Sequence, residues 1–216
     1  MRWLIIGALE VEIRPLLWQL KNVQTIGPNL KQGLHPDDPN TEVAVLRCGI
    51  GPTKAGVRST TALPLINPDA VVSIGTCGAL IDSLSIGDIC SIRSTQRDVG
   101  PPETIPTLGI FSPRALTTVV APCWTASKRA ELAASGAEVV EMEAAAVRDA
   151  VRDFNPKLQT YVLKVVSDQA GAQPDPVVGA GTLKRPLQIA RFKYRALQLS
   201  RNKLVPALLP LLVSTG

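Results

Sequence analysis

Apolar positions along the chain follow two rhythms. Unbroken aliphatic and β-branched runs at residues 3–7, 43–47, 70–74 and 161–166 have the character of strands buried on both faces. Residues 89–93, 119–121 and 138–141 are shorter strand-like runs. Between them the apolar residues recur at helical spacing. Ile13, Leu16, Leu17 and Leu20 fall on one face of a helix over 12–20, and Val147, Val151 and Phe154 follow at i, i+4 and i+7 in a helix over 144–154. Residues 54–65 and 127–134 are helical in composition as well. Strands alternating with helices predict an α/β domain. Pro101, Pro102, Pro106 and Pro113 make 99–113 a loop. No internal repeat divides the chain, so one domain over residues 1–216 is expected, ending in a helical segment from about 182 to 216.

Composition narrows the class. Of 216 residues 45% are apolar and 19% charged, which excludes a disordered chain. The net charge of +5 is unevenly spread. Residues 176–216 carry seven basic side chains and no acid, leaving 16 basic and 18 acidic residues in the first 175. With basic residues in excess only there and 4% aromatics, nucleic acid is a poor partner. Cys48, Cys77, Cys90 and Cys123 form no CxxC pair and have no flanking histidine, so buried reduced thiols in a cytoplasmic protein are expected, without a metal site. The apolar run 3–9 meets Glu10 and Glu12 at once, a poor signal peptide, and the run 204–213 is about half a membrane span with two prolines. The lone His35 lies in a Pro/Asp-rich stretch and is expected in an exposed turn.

Ligands of α/β sheets bind beyond the carboxyl ends of strands, and what stands there is informative. The first run ends in Gly7-Ala8-Leu9-Glu10-Val11-Glu12, the second in Cys48-Gly49-Ile50-Gly51, the third in Gly75-Thr76-Cys77-Gly78; later ones end in Glu141-Met142-Glu143 and Ser167-Asp168. Histidine is absent from all of them. The glycine loops lack the third glycine of GxGxxG and the Lys-Ser/Thr of a phosphate loop, so no nucleotide cofactor is implied. Glu141 and Glu143 have two readings: a solvated strand end followed by a helix N-terminal acid, or a carboxylate pair at i, i+2 on one face, able to bracket the vicinal hydroxyls of a sugar with Met142 on its ring. Asp168 is a loop acid or cap by the plain reading, and Glu12 a first-turn helix acid; Val-Val-Ser-Asp after a buried strand favours a functional Asp168.

Taken together, Ile5-Ile6-Gly7-Ala8-Leu9-Glu10-Val11-Glu12, Gly49-Ile50-Gly51, Asn67-Pro68-Asp69 with Gly75-Thr76-Cys77-Gly78, Ile86-Gly87-Asp88-Ile89, Val140-Glu141-Met142-Glu143-Ala144 and Ser167-Asp168 resemble, in order, the purine nucleosidase/phosphorylase superfamily. The sequence is most similar to methylthioadenosine/S-adenosylhomocysteine nucleosidases, over residues 1–170. The resemblance implies a three-layer α/β/α fold around a mixed, partly barrel-like sheet, a homodimer, and cleavage of a purine nucleoside without a cofactor. It implies Asp168 as the acid that protonates purine N7, oriented by Ser167; Glu12 as the group aligning the attacking water, with Thr76 beside it; and Met142 and Glu143 as ribose ligands, with Glu141 shaping the pocket. Gly75 and Ile50 fall among the substrate-contacting positions. Lys164 stands where these nucleosidases usually carry arginine, keeping the charge without the planar fork.

Hydrolysis is expected over phosphorolysis. Related phosphorylases place an arginine where Ser73 stands and another in a loop that here holds Glu10 and Glu12, carboxylates that would repel phosphate. For the base wall the expectation is Cys123, Trp124 and Thr125. A 5′-substituted adenine nucleoside of the methylthioadenosine kind is the first substrate; aminofutalosine or a lipid adenosyl compound such as adenosylhopane is the alternative. In the tail, Ile189, Phe192, Ala196 and Leu199 share one helical face beside Lys184, Arg191 and Arg195. That pattern suits a helix capping the sheet. It also suits peripheral membrane contact through 184–203, and with it a non-catalytic surface-binding module.

Overall fold

The computed structural model describes residues 1–123, 125–171 and 186–213. Among the described residues ten strands form one mixed sheet. Its central part is β1 (Arg2–Gly7), β4 (Glu42–Arg47), β5 (Ala70–Ala79) and β10 (Gln159–Asp168), all parallel and all drawn from the apolar runs. The hairpin of β2 (Lys21–Gly27) and β3 (Leu30–Leu34) extends it beyond β4. On the other side β6 (Ile89–Arg97), β8 (Pro113–Thr118) and β9 (Val139–Glu141) connect β10 back to β5, with the two-residue β7 (Glu103–Thr104) on β6. Five strands, β10-β6-β8-β9-β5, thus close a ring, the partly barrel-like sheet expected from the resemblance.

The long strand β5 forks the sheet. Its first half, Ala70 to Ile74, lies between β1 and β10; its end, Gly78 and Ala79, lies between β10 and β9. One sheet face carries Trp3, Ile5, Val43, Val45, Val72 and Val165 against α1 (Glu10–Leu17). The other carries Leu4, Ile6, Ala44, Leu46 and Val71 against α2 (Pro52–Ile66) and α4 (Ala144–Phe154). Successive side chains alternate between layers, so a continuously apolar strand is what a sheet covered on both faces requires. A third cluster draws on all five ring strands, with Cys77, Cys90, Ile92, Leu116, Val139, Val162 and Val166.

The C-terminal segment runs as α5 (Pro186–Leu199), a wider turn at Ser200–Leu204, α6 (Val205–Leu208) and a last tight turn to Leu211. Leu204, Val205, Leu208 and Leu212 are buried in the first sheet face, and the Trp3 indole donates to the Leu212 carbonyl at 3.0 Å. This is the capping arrangement. On α5, Ala196 is buried and Leu199 packs on the core, whereas Phe192 is half-buried and Ile189 is exposed. Among the described residues no helix is long and apolar enough to cross a membrane.

Two expectations are corrected, and one element is new. His35 is buried, not exposed: its Nδ1 accepts from the Asp37 amide at 3.2 Å, leaving Nε2 to donate to the Leu209 carbonyl at 3.0 Å. The strand expected at 119–121 lies earlier, at Pro113–Thr118, where buried Thr117 and Thr118, one on each face, interrupt the apolar run that would have marked it. The β2–β3 hairpin was not foreseen; β2 is exposed along nearly its whole length and has no apolar rhythm.

Candidate active site

The fork creates a local deficit of backbone partners. β1 ends opposite Ile74, so the next amides of β5 lose their neighbour on that side. Glu12, in the first turn of α1, fills the gap: its Oε1 accepts from the Thr76 amide at 2.9 Å and the Thr76 hydroxyl at 3.0 Å. Its Oε2 accepts from the Leu9 amide at 3.0 Å, capping its own helix. The carboxylate sits so close above Gly75 (φ +141°) that a Cβ there would lie 3.0 Å from Oε1. Glycine is required at this position by backbone and by space alike.

Asp168 reaches the same cavity from the other flank of β5. Pairing of β10 with β5 is regular to Val166 opposite Cys77, then slips so that Asp168 faces Gly78. The bulged residue is Ser167, whose hydroxyl lies 3.1 Å from the Cys77 carbonyl and 2.9 Å from Asp168 Oδ1. Bulges re-aim side chains in this way next to active sites.

Arg129 completes this corner and was missed in the sequence. It projects from α3 (Ala126–Ala134), is 5% exposed, and ion-pairs with Asp168 Oδ2. Its remaining N–H groups meet the carbonyls of Gln169 at 2.9 Å, Ala79 at 3.2 Å and Cys123 at 3.4 Å. The available signal was an arginine three residues before the buried Leu132 on one helix face, but nothing in sequence ties it to an acid 39 positions later.

The Glu-Met-Glu segment separates its two acids. Glu141 turns beneath the start of α4, where it accepts from the amides of Glu143 and Ala144, each at 2.9 Å, and from the Thr118 hydroxyl at 2.6 Å. Lys164 ion-pairs with it at 3.1 Å. Neither of the two readings holds whole: Glu141 is not solvated but buried as a helix cap and counter-ion, while Glu143 stands at the helix N-terminus and both touch the cavity wall. Glu143, at the N-cap of α4, accepts from the Gly51 amide at 2.7 Å. Burial, and then the charge of Glu141, push its carboxyl up to about 8 against the opposing pull of Lys164.

Lys164 is buried beneath this acidic group. Burial opposes its charge, yet Glu141, Glu143 and Glu12 together hold the ammonium above its ordinary value. It does not line the cavity and acts through Glu141; nor does Gly75 line it, lying beneath Glu12. The residues that do line it include Glu12, Ile50, Thr76, Cys123, Met142, Glu143, Ser167 and Asp168, so most of the sequence-derived candidates converge. Thr125 instead caps α3 and borders a neighbouring hollow, and Trp124 lies outside the described residues. From the basic tail, α5 contributes Phe192 and Arg195 to the wall. Among the described residues no cluster of His, Cys, Asp or Glu is suited to a metal ion.

Residues 2–134 match the phosphorylase superfamily. Solved structures share the fold over nearly the whole chain. A 5′-methylthioadenosine/S-adenosylhomocysteine nucleosidase from Colwellia psychrerythraea 34H, in complex with adenine, superposes with a TM-score of 0.76 at 20% identity, covering 98% of this chain and 96% of that one. The corresponding nucleosidase of S. pneumoniae, with a transition-state inhibitor, gives 0.77 at 18% identity and 98% coverage of both chains. The futalosine hydrolase of Helicobacter pylori strain 26695 gives 0.71 at 18% identity, covering 93% and 94%.

Proposed function

The chain belongs to the phosphorylase superfamily, and from that premise we propose that it hydrolyses the N-glycosidic bond of a 5′-substituted adenine nucleoside, releasing the base. The observation that carries this reading is the convergence of three carboxyl groups with different environments, Glu12, Glu143 and Asp168, on one cavity. Cleavage builds positive charge on the ribose and negative charge on the departing purine, so a site must serve both. In this reading Asp168, oriented by Ser167, takes up a proton from solvent as substrate binds and passes it to purine N7, and Arg129 then pairs with the carboxylate that is left. Glu143 and Met142 hold the ribose; Glu143, protonated in the free site, releases its proton to solvent as the sugar becomes cationic, and the resulting carboxylate stabilises that charge. Glu12, held by Thr76, accepts a proton from the water that attacks C1′. Phosphate as the nucleophile would have to approach the Glu12 carboxylate, which favours water.

The test is direct. Purified protein is incubated with methylthioadenosine, S-adenosylhomocysteine or aminofutalosine, with and without phosphate, and free base is followed by chromatography. Base release without phosphate is expected, lowered by about 100-fold or more in Asp168→Asn, the scale of a lost general acid. No base under either condition refutes the proposal, and release only with phosphate replaces it with phosphorolysis.

A further inference from the structure

A second groove opens from the ribose end of the cavity. Ala8, Leu9 and Ile50 line both, and the groove continues outward between Arg14, Arg47, Lys54, Arg58 and Lys193. Gly51, next to Ile50, is the residue whose amide binds Glu143, whereas Asp168 stands at the far end beside Gly78. With the base at Asp168 and the ribose at Glu143, the groove lies where a 5′ substituent leaves the ribose.

Its charge is strongly one-sided. Against five cations stands one lining carboxylate, Glu10, which is already divided between Arg14 and Arg47 at 3.6 Å each. Arg47 is held further by Asn29, and Arg58 spends one N–H on the Arg47 carbonyl at 3.2 Å. Among the described residues neither Lys54 nor Lys193 has a carboxylate within 4 Å. The side chains of Arg58 and Lys54 lean over Gly49 (φ +81°), where a Cβ would meet them at 3.1 and 3.4 Å. The fifteen-residue helix α2 begins at Pro52, beside this loop, with no acid in its first turn, so its amide dipoles add to the positive field. This concentration occurs in a body that is otherwise slightly acidic. Clefts lined by one sign of charge focus potential on a ligand of the opposite sign.

We propose that the 5′ substituent of the substrate carries an anionic group, a carboxylate or phosphate, that is bound in the groove between Lys54, Arg58 and Lys193. This rests on the nucleosidase reading above, which by itself leaves the 5′ group open.

The experiment compares two isosteric nucleosides, 5′-(carboxymethylthio)adenosine and its neutral carbamoylmethylthio analogue, in both kcat/KM and equilibrium affinity. The acid is expected to be favoured by about tenfold in both, with the preference shrinking at 0.5 M salt as screening requires. The double variant Lys54→Glu/Lys193→Glu is expected to lose the preference, the acid falling to the level of the neutral analogue or below it in both kcat/KM and affinity. Equal handling of acid and amide by the wild type, or a preference untouched by the double variant, overturns the proposal. An affinity difference without cleavage of either compound would refute the hydrolase reading and leave the anion groove standing. Cleavage of both without a difference would refute the groove alone. Binding of anionic vesicles that depends on the two lysines, with no nucleoside preference, would overturn it in favour of membrane contact.

Discussion

Replacing Glu143 by glutamine removes one titrating carboxyl while keeping an oxygen to accept from the Gly51 amide, 2.7 Å away. In the folded protein this carboxyl holds its proton up to about pH 8, against an ordinary value of 4.5, because it is buried and faces Glu141. Below pH 4.5 it is protonated in both folded and unfolded chains, and no pH-dependent difference arises. Between the two values the unfolded chain ionises while the folded one does not. Each pH unit in that window then favours unfolding by ~1.4 kcal/mol, or ~5 kcal/mol across the whole window, and above about 8 the cost is constant. The glutamine variant carries no such dependence. Urea unfolding at pH 5, 6, 7 and 8 should therefore show the stability of Glu143→Gln rising relative to wild type with each step, the gap growing by ~1 kcal/mol or more per unit. Parallel profiles would refute the reasoning, since they would mean that Glu143 is ionised in the folded state throughout. The same raised value predicts that a cationic ribose mimic, on binding at pH 7, releases a proton; calorimetry in buffers of different ionisation enthalpy reads that number.

Three further expectations follow from geometry. Arg129→Ala strips a buried partner from Asp168 and from three carbonyls, and should cost about 3–5 kcal/mol in chemical denaturation; a loss under 1 kcal/mol, on the same scale, would mean the corner relaxes or is wet. Gly75→Ala forces a side chain against Glu12 at a φ of +141°, so about 1–3 kcal/mol of stability and most of the cleavage activity should vanish together; a fully active variant would contradict the placement of Glu12. Leu208→Ala, in the tail, should destabilise by about 2–5 kcal/mol in a thermal melt, whereas a tail merely resting on the body would give almost nothing.

What the sequence revealed divides along physical lines. β1, β4, β5 and β10 were legible because covering on both faces leaves an uninterrupted apolar signature. The β2–β3 hairpin was not, since a strand open to water on both sides has no pattern to keep. Of the chemistry-bearing acids, Asp168 stood out by its place after a buried strand, whereas Glu12 and Glu143 were singled out only by the resemblance of the motifs taken together. Their division of labour was not legible: that Glu141 would be spent on a helix start and a buried lysine depends on how α4 meets β10. Arg129 was invisible for the same reason, because its meaning comes from a partner supplied by another element. The contribution of Phe192 and Arg195 from the tail was equally a matter of tertiary placement. Their positions read as an amphipathic stripe whichever surface they would cover.

The fork in β5 has a consequence for how activity is acquired during folding. The two acids that flank it are delivered by different neighbours, Glu12 by the turn after β1 and Asp168 by the slip at the end of β10. Thr76 registers against Val165, a partner far along the chain, so the site exists only once this long loop has closed and the ring has shut. Local helices and the β2–β3 hairpin can form without it. The site therefore depends on long-range pairing as much as on the turn after β1, and opening of either neighbour of β5 would separate the two acids.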